Sequence, residues 1–193
     1  NVLPLKKNGK AIAVIGPGAA DLQPGDYTAA LQPGQLISVL AGIKNAVSAD
    51  TKVLYEKGCN FWGDDSLNIS GAVNIAKQAD VAVLVLGDCS TSEAVHGIKK
   101  TSGEANDYAS LILPGEQKKL LEAVCATGKP VVLSTGMATL GEIERALERL
   151  RRAGAGPVAL LHCVSVYPSP PSDLNLLNIP MLQQVFGVPV GFS

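Results

Sequence analysis

The chain of 193 residues is 47% hydrophobic and 4% aromatic, a composition that predicts one α/β domain with an aliphatic core. Its 16 Lys and Arg residues nearly balance 17 Asp and Glu residues, and neither sign forms a long block. This charge pattern argues against nucleic acid and membrane surfaces as partners.

No apolar run approaches the roughly 20 residues that span a bilayer, and residues 1–10 lack the layout of a signal peptide. We therefore expect a soluble, cytoplasmic protein. Cys59, Cys89, Cys125 and Cys163 lie at least 30 residues apart, with no pair at zinc-ligand spacing. They are interpreted as reduced, buried thiols, and neither a metal nor a cofactor is expected.

Short apolar runs bounded by Gly, Pro or Asp alternate with stretches of helical periodicity, which is typical of repeated βα units. Right-handed crossovers between parallel strands would place the helices on both faces of the sheet. Six strands are predicted, at residues 11–16, 52–57, 81–87, 130–135, 157–162 and 188–192. Five helices are predicted, at residues 36–48, 67–79, 114–127, 139–153 and 177–186.

The helix at 139–153 has the clearest pattern. Thr139 and Glu142 form a capping box, and Glu148 with Arg152 forms an exposed i,i+4 pair. The helix at 114–127 is predicted to have Pro114 in its first turn. The buried stripe of the 139–153 helix comprises Leu140, Ile143, Leu147 and Leu150.

Three long loops, at residues 17–35, 88–113 and 163–176, follow the carboxyl ends of predicted strands. Ligands bind at that edge of open α/β sheets, so any site is expected there. Gly16-Pro17-Gly18 follows the first strand, but Asp21 stands where the dinucleotide-binding motif has its third glycine. A plain strand-exit turn is the favoured interpretation, and nucleotide binding is the alternative.

The loop segment Gly103-Glu104-Ala105-Asn106-Asp107 brings carboxylates to the same edge, where a buried one can act as a general acid and an exposed one is only solvated. Three further segments accompany it: Asn1-Val2-Leu3-Pro4-Leu5, Ala11-Ile12-Ala13-Val14-Ile15-Gly16-Pro17 and Leu113-Pro114-Gly115-Glu116-Gln117. Together they resemble the flavodoxin-like second domain of glycoside hydrolase family three, the β-glucosidases and β-xylosidases, over about residues 1–133.

This resemblance implies an acid/base role for Glu104 and a sugar-site role for Asp107, whereas Tyr108 stands where the family commonly has Arg. The nucleophilic Asp of that family belongs to a preceding (β/α)₈ barrel. A retaining hydrolase needs a second carboxyl group about 5 Å away. We therefore expect Glu104 and Asp107 to be vestigial rather than active.

A second resemblance covers about residues 129–193, from Lys129-Pro130-Val131-Val132-Leu133-Ser134-Thr135-Gly136-Met137-Ala138-Thr139 through Leu160-Leu161-His162-Cys163-Val164-Ser165-Val166-Tyr167-Pro168 to Gly191-Phe192-Ser193. These segments are similar to the barrel of sialic acid synthase (N-acetylneuraminate synthase), which condenses phosphoenolpyruvate with an amino sugar using a divalent metal. In that family the metal-binding His follows the segment that Gly191-Phe192-Ser193 resembles.

The second resemblance places Ser193 near the phosphate of phosphoenolpyruvate, and Ser134 and Ser165 are further vestigial ligand-binding candidates. His162 and Cys163 are interpreted as packing residues at a strand end. The two resemblances overlap in residues 129–133, a strand that suits either parent. An engineered chimera, recombined at this common βα element, is the explanation that the sequence favours.

We expect a single chimeric domain over residues 1–193, a flavodoxin-like three-layer α/β/α sandwich. Its mostly parallel sheet would have five to six strands in order 2-1-3-4-5, with the sixth at the edge. No catalytic activity is expected, so the chain is predicted not to be an enzyme. The alternatives are a family three accessory domain acting through Glu104 and a weak sugar- or phosphate-binding module. A monomer is expected, and pairing of edge strands into a dimer is the alternative.

Overall fold

The computed structural model describes residues 7–9, 11–22, 34–64, 66–90, 101–103, 110, 112–166 and 168–193. Every predicted strand and helix is found in these ranges, shortened at one or both ends. The strands are β1 Ala11–Ile15, β2 Lys52–Glu56, β3 Val81–Leu84, β4 Val131–Ser134, β5 Val158–His162 and β6 Val190–Phe192. The helices are α1 Val39–Ala46, α2 Ile69–Gln78, α3 Gln117–Cys125, α4 Leu140–Arg152 and α5 Asn178–Phe186, with a short 3-10 helix at Pro171–Asp173.

In these ranges no helix is both long and apolar enough to cross a membrane.

The chain divides into two compact units, residues 1–124 and 125–193. The strands form two parallel sheets, with the orders β2-β1-β3 and β4-β5-β6. The predicted order 2-1-3-4-5, with a sixth strand at the edge, is therefore found as two separate sheets of three strands. A pairing of β3 with β4, which would join them into one sheet, is absent from the strand pairs of the described residues. Each sheet instead has its own helices and its own core, with two buried clusters on the first sheet and one on the second.

The first unit is a three-layer sandwich, as predicted. Ile12 and Val14 of β1 pack in one buried cluster with Leu40 of α1. Ala13 and Ile15 point to the opposite face. There they pack in a second cluster with residues of α2 and α3. The helices cover both faces because the chain moves from β1 to β2 on one side and then back past β1 to β3 on the other. Two crossovers of the same hand that run in opposite directions place their helices on opposite faces of the sheet.

The second unit differs, because both of its described helices cover the same face. Leu133 lies opposite Leu160 in the sheet, and Leu160 lies opposite Val190. These three residues share one cluster with Ile143 and Leu147 of α4 and with Leu182 and Phe186 of α5. The order 4-5-6 advances in one direction, so successive crossovers of one hand place their helices on one side.

The capping box of α4 is confirmed. The Glu142 carboxylate accepts from the backbone N–H of Thr139 at 2.8 Å, and the Glu142 N–H donates to the Thr139 hydroxyl at 3.3 Å. Leu140 differs from the predicted buried stripe, because it lies in the first turn of α4 and is 46% exposed. The predicted start of α3 is also corrected: Gly115 has a φ of 59°, outside the helical region, so the helix begins after Pro114, at Gln117.

Candidate functional site

Gly16-Pro17-Gly18 forms a closed turn at the carboxyl end of β1. The N–H of Gly16 donates to Glu56 O at 3.2 Å, and the N–H of Gly18 donates to Val85 O at 3.3 Å. Gly16 has a φ of 122°, and a Cβ at this position would lie 2.3 Å from Val85 O. The glycine is required by this close backbone approach. Both amides are used within the unit, which supports the strand-exit turn over a phosphate loop.

Gln117 connects three loop segments at the same edge of the first unit. The two protons of its fully buried amide NH₂ group are shared among Phe61 O and Gly87 O, at 2.9 Å each, and Pro114 O, at 3.2 Å. Its amide oxygen accepts from the backbone N–H of Gly87 at 2.9 Å. One side chain therefore holds together the chain after β2, the chain after β3 and the entry to α3.

Glu116 is the neighbouring carboxylate, and its role is structural. Lys119 Nζ lies 2.6 Å from its Oε2, and the Ser66 hydroxyl donates to the same oxygen at 3.0 Å. These bonds, first from Lys119 and then from Ser66, lower the pKa of Glu116. Glu104 and Asp107, predicted as vestigial catalytic residues, lie outside the described residues, so their roles stay predictions.

The other predicted ligand residues, Ser134, Ser165 and Ser193, all lie at the carboxyl edge of the second sheet; we call them the serine edge. Ser134 ends β4 and is exposed. It alternates with Leu133 and so points away from the helix-covered face. Ser165 is exposed after β5, and its hydroxyl lies 3.2 Å from where a Cβ on Gly136 would stand. The backbone N–H of Ser193 donates to His162 O at 2.9 Å.

A cavity of about 420 Å³ lies on the other side of the same edge, between the first turns of α4 and α5; we call it the helix-side cavity. Its polar lining residues are Thr135, Thr139, His162, Cys163 and Asn178. Its apolar lining residues are Met137, Ala138, Leu140, Ile143, Met181 and Leu182. This cavity was not predicted from the sequence. The available signals were the hydroxyl of Thr135 directly after β4 and the amide of Asn178 at the start of α5.

His162 is a buried residue of this cavity wall. Its Nε2 lies 2.8 Å from Leu174 O, and its ring centroid lies 5.9 Å from that of Phe192. These contacts agree with the predicted packing role. Among the residues that the structure describes, no group of three His, Cys, Asp or Glu side chains could hold a metal ion. These residues therefore do not fit the divalent metal that the second resemblance implies.

The profile of the NeuB family matches residues 75–193. An uncharacterized protein of Methanocaldococcus jannaschii is 51% identical over 74 residues, 38% of this chain and 22% of that protein. The pseudaminic acid synthase of Helicobacter pylori is 43% identical over 74 residues, again 38% of this chain and 22% of the relative.

A periplasmic beta-glucosidase of Salmonella typhimurium is 40% identical over 154 residues, 68% of this chain and 19% of that protein. The crystal structure of a beta-glucosidase from Listeria innocua in complex with glucose superposes with a TM-score of 0.55 at 25% identity, covering 77% of this chain and 19% of that one. The chain thus spans about a fifth of the length of the curated relatives it matches.

Both resemblances stated from the sequence are confirmed by these matches. The NeuB match begins at residue 75, well before the predicted boundary at residue 129, and takes in β3 and α3. One prediction is wrong: the expectation that the chain is not an enzyme is contradicted, because the matched relatives are named synthases and glycosidases. Since one of these relatives is named as periplasmic, the cytoplasmic location stays a prediction.

Proposed function

The chain belongs to the NeuB family, and from this premise we propose that it is part of a phosphoenolpyruvate-dependent sugar-acid synthase. In this proposal the second unit contributes the edge that binds the phosphate or carboxylate of phosphoenolpyruvate. Relatives named as synthases of pseudaminic acid, N-acetylneuraminate 9-phosphate and N,N'-diacetyllegionaminic acid support the reaction class. The observation that carries the proposal is the serine edge.

Hydroxyl groups can donate to phosphate and carboxylate oxygens, and the serine edge presents three serines after successive parallel strands. Within the described part of the chain, none of these three hydroxyls has a hydrogen-bond partner. Ser134 points to the face that the cluster of α4 and α5 does not cover. Ser193 is held beside β5 by its bond to His162. We infer that these hydroxyls position the anion.

The test is a titration with phosphoenolpyruvate, followed by ³¹P NMR of the ligand. Ser134→Ala and Ser193→Ala should each weaken binding about threefold to tenfold, the range for one lost hydrogen bond. Ser172→Ala is the matched control, because Ser172 is exposed in the same unit and bonds Asp173 instead. Equal affinity in all four proteins would overturn the role of the serine edge. Release of phosphate only when an N-acetylated amino sugar is added would support the synthase reaction.

The second candidate is a glycoside hydrolase function for the region that resembles family three. The 40% identity to a beta-glucosidase across 68% of this chain favours it. In this proposal Glu104 serves as the acid/base, with Asp107 beside the sugar. Gln117 and Glu116 brace other strand-end segments of the same unit.

Hydrolysis of an aryl glucoside and an aryl xyloside tests this candidate. Glu104→Gln should remove the hydrolysis while leaving the fold unchanged, because the substitution preserves shape and removes only the ionisable proton. Glu122→Gln, on the partly exposed side of α3, is the control and should keep the wild-type rate. Hydrolysis that persists in Glu104→Gln, or is absent from the unaltered chain, would refute this function.

We also propose that the two parts form one cooperative domain that arose by engineered recombination. The change from helices on both faces to helices on one face, near the boundary of the two units, supports a join between two parent folds. A single unfolding transition seen both by Trp62 fluorescence and by far-UV circular dichroism is expected. Two separated transitions would contradict the single domain. Natural relatives that run through both parts across the same junction would contradict the engineered origin.

A further inference from the structure

The helix-side cavity is distinct from the serine edge. Of the residues described, those that line it come from the β4–α4 turn, the end of β5 and the first turns of α4 and α5, and none belongs to the serine edge. Its floor contains Ile143 and Leu182, each 4% exposed and each part of the core of the second unit. Its volume of about 420 Å³ lies within the usual range for small-molecule sites, roughly 300–1,000 Å³.

The described lining of the helix-side cavity offers no charged side chain to a bound ion. No Asp, Glu, Lys or Arg is among its described lining residues. An ion of either sign that entered the cavity would lose part of its hydration without gaining a countercharge from a side chain, which is unfavourable. Phosphate and phosphoenolpyruvate are therefore poor ligands for this cavity, in contrast to the serine edge.

The two buried polar residues of the wall, Thr135 and His162, keep acceptor atoms beyond the hydrogen bonds that they make within the unit. The Thr135 hydroxyl donates its proton to Leu161 O at 2.9 Å, so its oxygen has only lone pairs left to offer. A carbonyl oxygen has no proton, so in the contact with Leu174 O the hydrogen must be on Nε2 of His162. In the neutral imidazole this leaves Nδ1 as an acceptor.

The other two polar residues considered in the wall are Thr139 and Asn178. The Thr139 hydroxyl donates to the Glu142 carboxylate at 2.8 Å and is used within the capping box. Asn178 supplies both a carbonyl and an NH₂ group at the opposite wall. A matching ligand must therefore donate hydrogen bonds toward Thr135 and His162 while remaining uncharged, as a hydroxyl group does.

The rim is apolar and includes a strained residue. Met137 is 90% exposed and has a φ of 58°, in the left-handed region that non-glycine residues rarely adopt. Met181 and Leu140 continue this surface with 36% and 46% of their areas exposed. Strained backbone persists most often at functional sites, and methionine adapts well to apolar ligand surfaces. We propose that the helix-side cavity binds an uncharged, hydroxyl-bearing small molecule with one apolar face, the chemistry of a pyranose ring.

The chain offers a selective probe for this proposal. It contains only two methionines, Met137 and Met181, and both line the cavity. With ¹³C-methyl-labelled methionine, both signals should shift when methyl β-D-glucopyranoside is titrated, and neither should shift with inorganic phosphate. The proposal is overturned if the glycoside moves neither signal up to its solubility limit, or if phosphate moves them instead.

Two variants and one control refine the test. Asn178→Ala removes the amide but keeps the backbone bond from its N–H to Asn175 O, so the helix start is preserved. It should weaken glycoside binding about threefold to tenfold. Met137→Ala removes exposed apolar surface and should also weaken binding, with Met181 still reporting.

Ser134→Ala on the serine edge is the control and should leave glycoside binding unchanged. Equal weakening by Ser134→Ala and Asn178→Ala would mean that the glycoside occupies the serine edge, which would refute the separate site. The phosphoenolpyruvate titration is a separate experiment. Failure of the synthase proposal would appear as loss of phosphoenolpyruvate binding to the serine edge, whereas failure of this proposal would appear as unchanged methionine signals with the glycoside.

Discussion

Replacement of Gln117 tests whether one buried amide stabilises the strand-end loops of the first unit. In Gln117→Leu the side chain keeps a similar volume, but the Gly87 N–H loses its acceptor and three carbonyl oxygens, of Phe61, Gly87 and Pro114, lose their donor. A buried polar group left without a partner is destabilising by about 1–3 kcal/mol. Some of these carbonyls can relax toward water, so we expect a loss of about 3–5 kcal/mol in the free energy of unfolding.

The assay is urea unfolding followed by the fluorescence of Trp62, the single tryptophan, which is adjacent to Phe61 in the chain. Gln78→Leu is the matched control, because Gln78 is an exposed residue of α2 in the same unit. It should change the free energy of unfolding by no more than about 0.5 kcal/mol. A loss below about 1 kcal/mol for Gln117→Leu, with an unchanged denaturant slope, would refute the reasoning.

Gln117→Glu adds a pH dependence whose sign follows from the same contacts. An ionised carboxylate would face three carbonyl oxygens in a buried position, so the folded state favours the protonated acid and raises its pKa above the unfolded value. The variant should therefore be most stable below the unfolded pKa and lose stability as the pH rises through the folded pKa. The opposite trend, relative to wild type, would contradict the arrangement.

Three further predictions concern other parts of the fold. Thr139→Ala removes the N-cap of α4 and should lower the free energy of unfolding by about 1 kcal/mol, measured by urea unfolding. Because bonds from the Thr139 backbone and hydroxyl lower the pKa of Glu142, the contribution of this cap should be present above the unfolded pKa and disappear as the pH falls through the folded one. Leu147→Ala should lower the free energy of unfolding by about 2–5 kcal/mol, since Leu147 is 1% exposed in the core cluster; a smaller loss would mean that the cluster is loosely packed. Burial, with a smaller contribution from the nearby Glu116 charge, raises the pKa of Cys59 to about 11. Iodoacetamide at pH ~9 should therefore label the partly exposed Cys163 well before Cys59, as measured by mass spectrometry. Faster labelling of Cys59 would contradict its burial.

The sequence predicted the local elements well because each has its own signal. Thr139 and Glu142 mark the start of α4 by a capping box that depends only on residues three apart. The error at α3 has an equally local cause: Pro114 is acceptable in a first turn, but the positive φ of Gly115 delays the helix to Gln117. The residue at which a helix begins depends on the backbone dihedral angles of the preceding residues, which the residue types alone do not determine.

The candidate sites were predicted unequally. The second resemblance named Ser134, Ser165 and Ser193, which lie at the carboxyl ends of β4, β5 and β6, and their ligand role stays a prediction. The helix-side cavity was missed because its polar walls, Thr135 and Asn178, come from separate βα units and meet only after both helices pack on the same face. The spacing of Thr135 and Asn178 in the sequence does not show that they line the same cavity.

By itself, the sequence determined that this protein alternates strands and helices, that its strands are parallel and that it resembles two enzyme families. Those properties follow from hydrophobic period, capping residues and short motifs, all of which act over a few residues. Only the tertiary structure decided that the strands form two sheets of three, and that the helices lie on both faces of one sheet and one face of the other. The physical reason is that sheet order and helix side depend on contacts between residues far apart in the chain, where several arrangements satisfy the same local pattern.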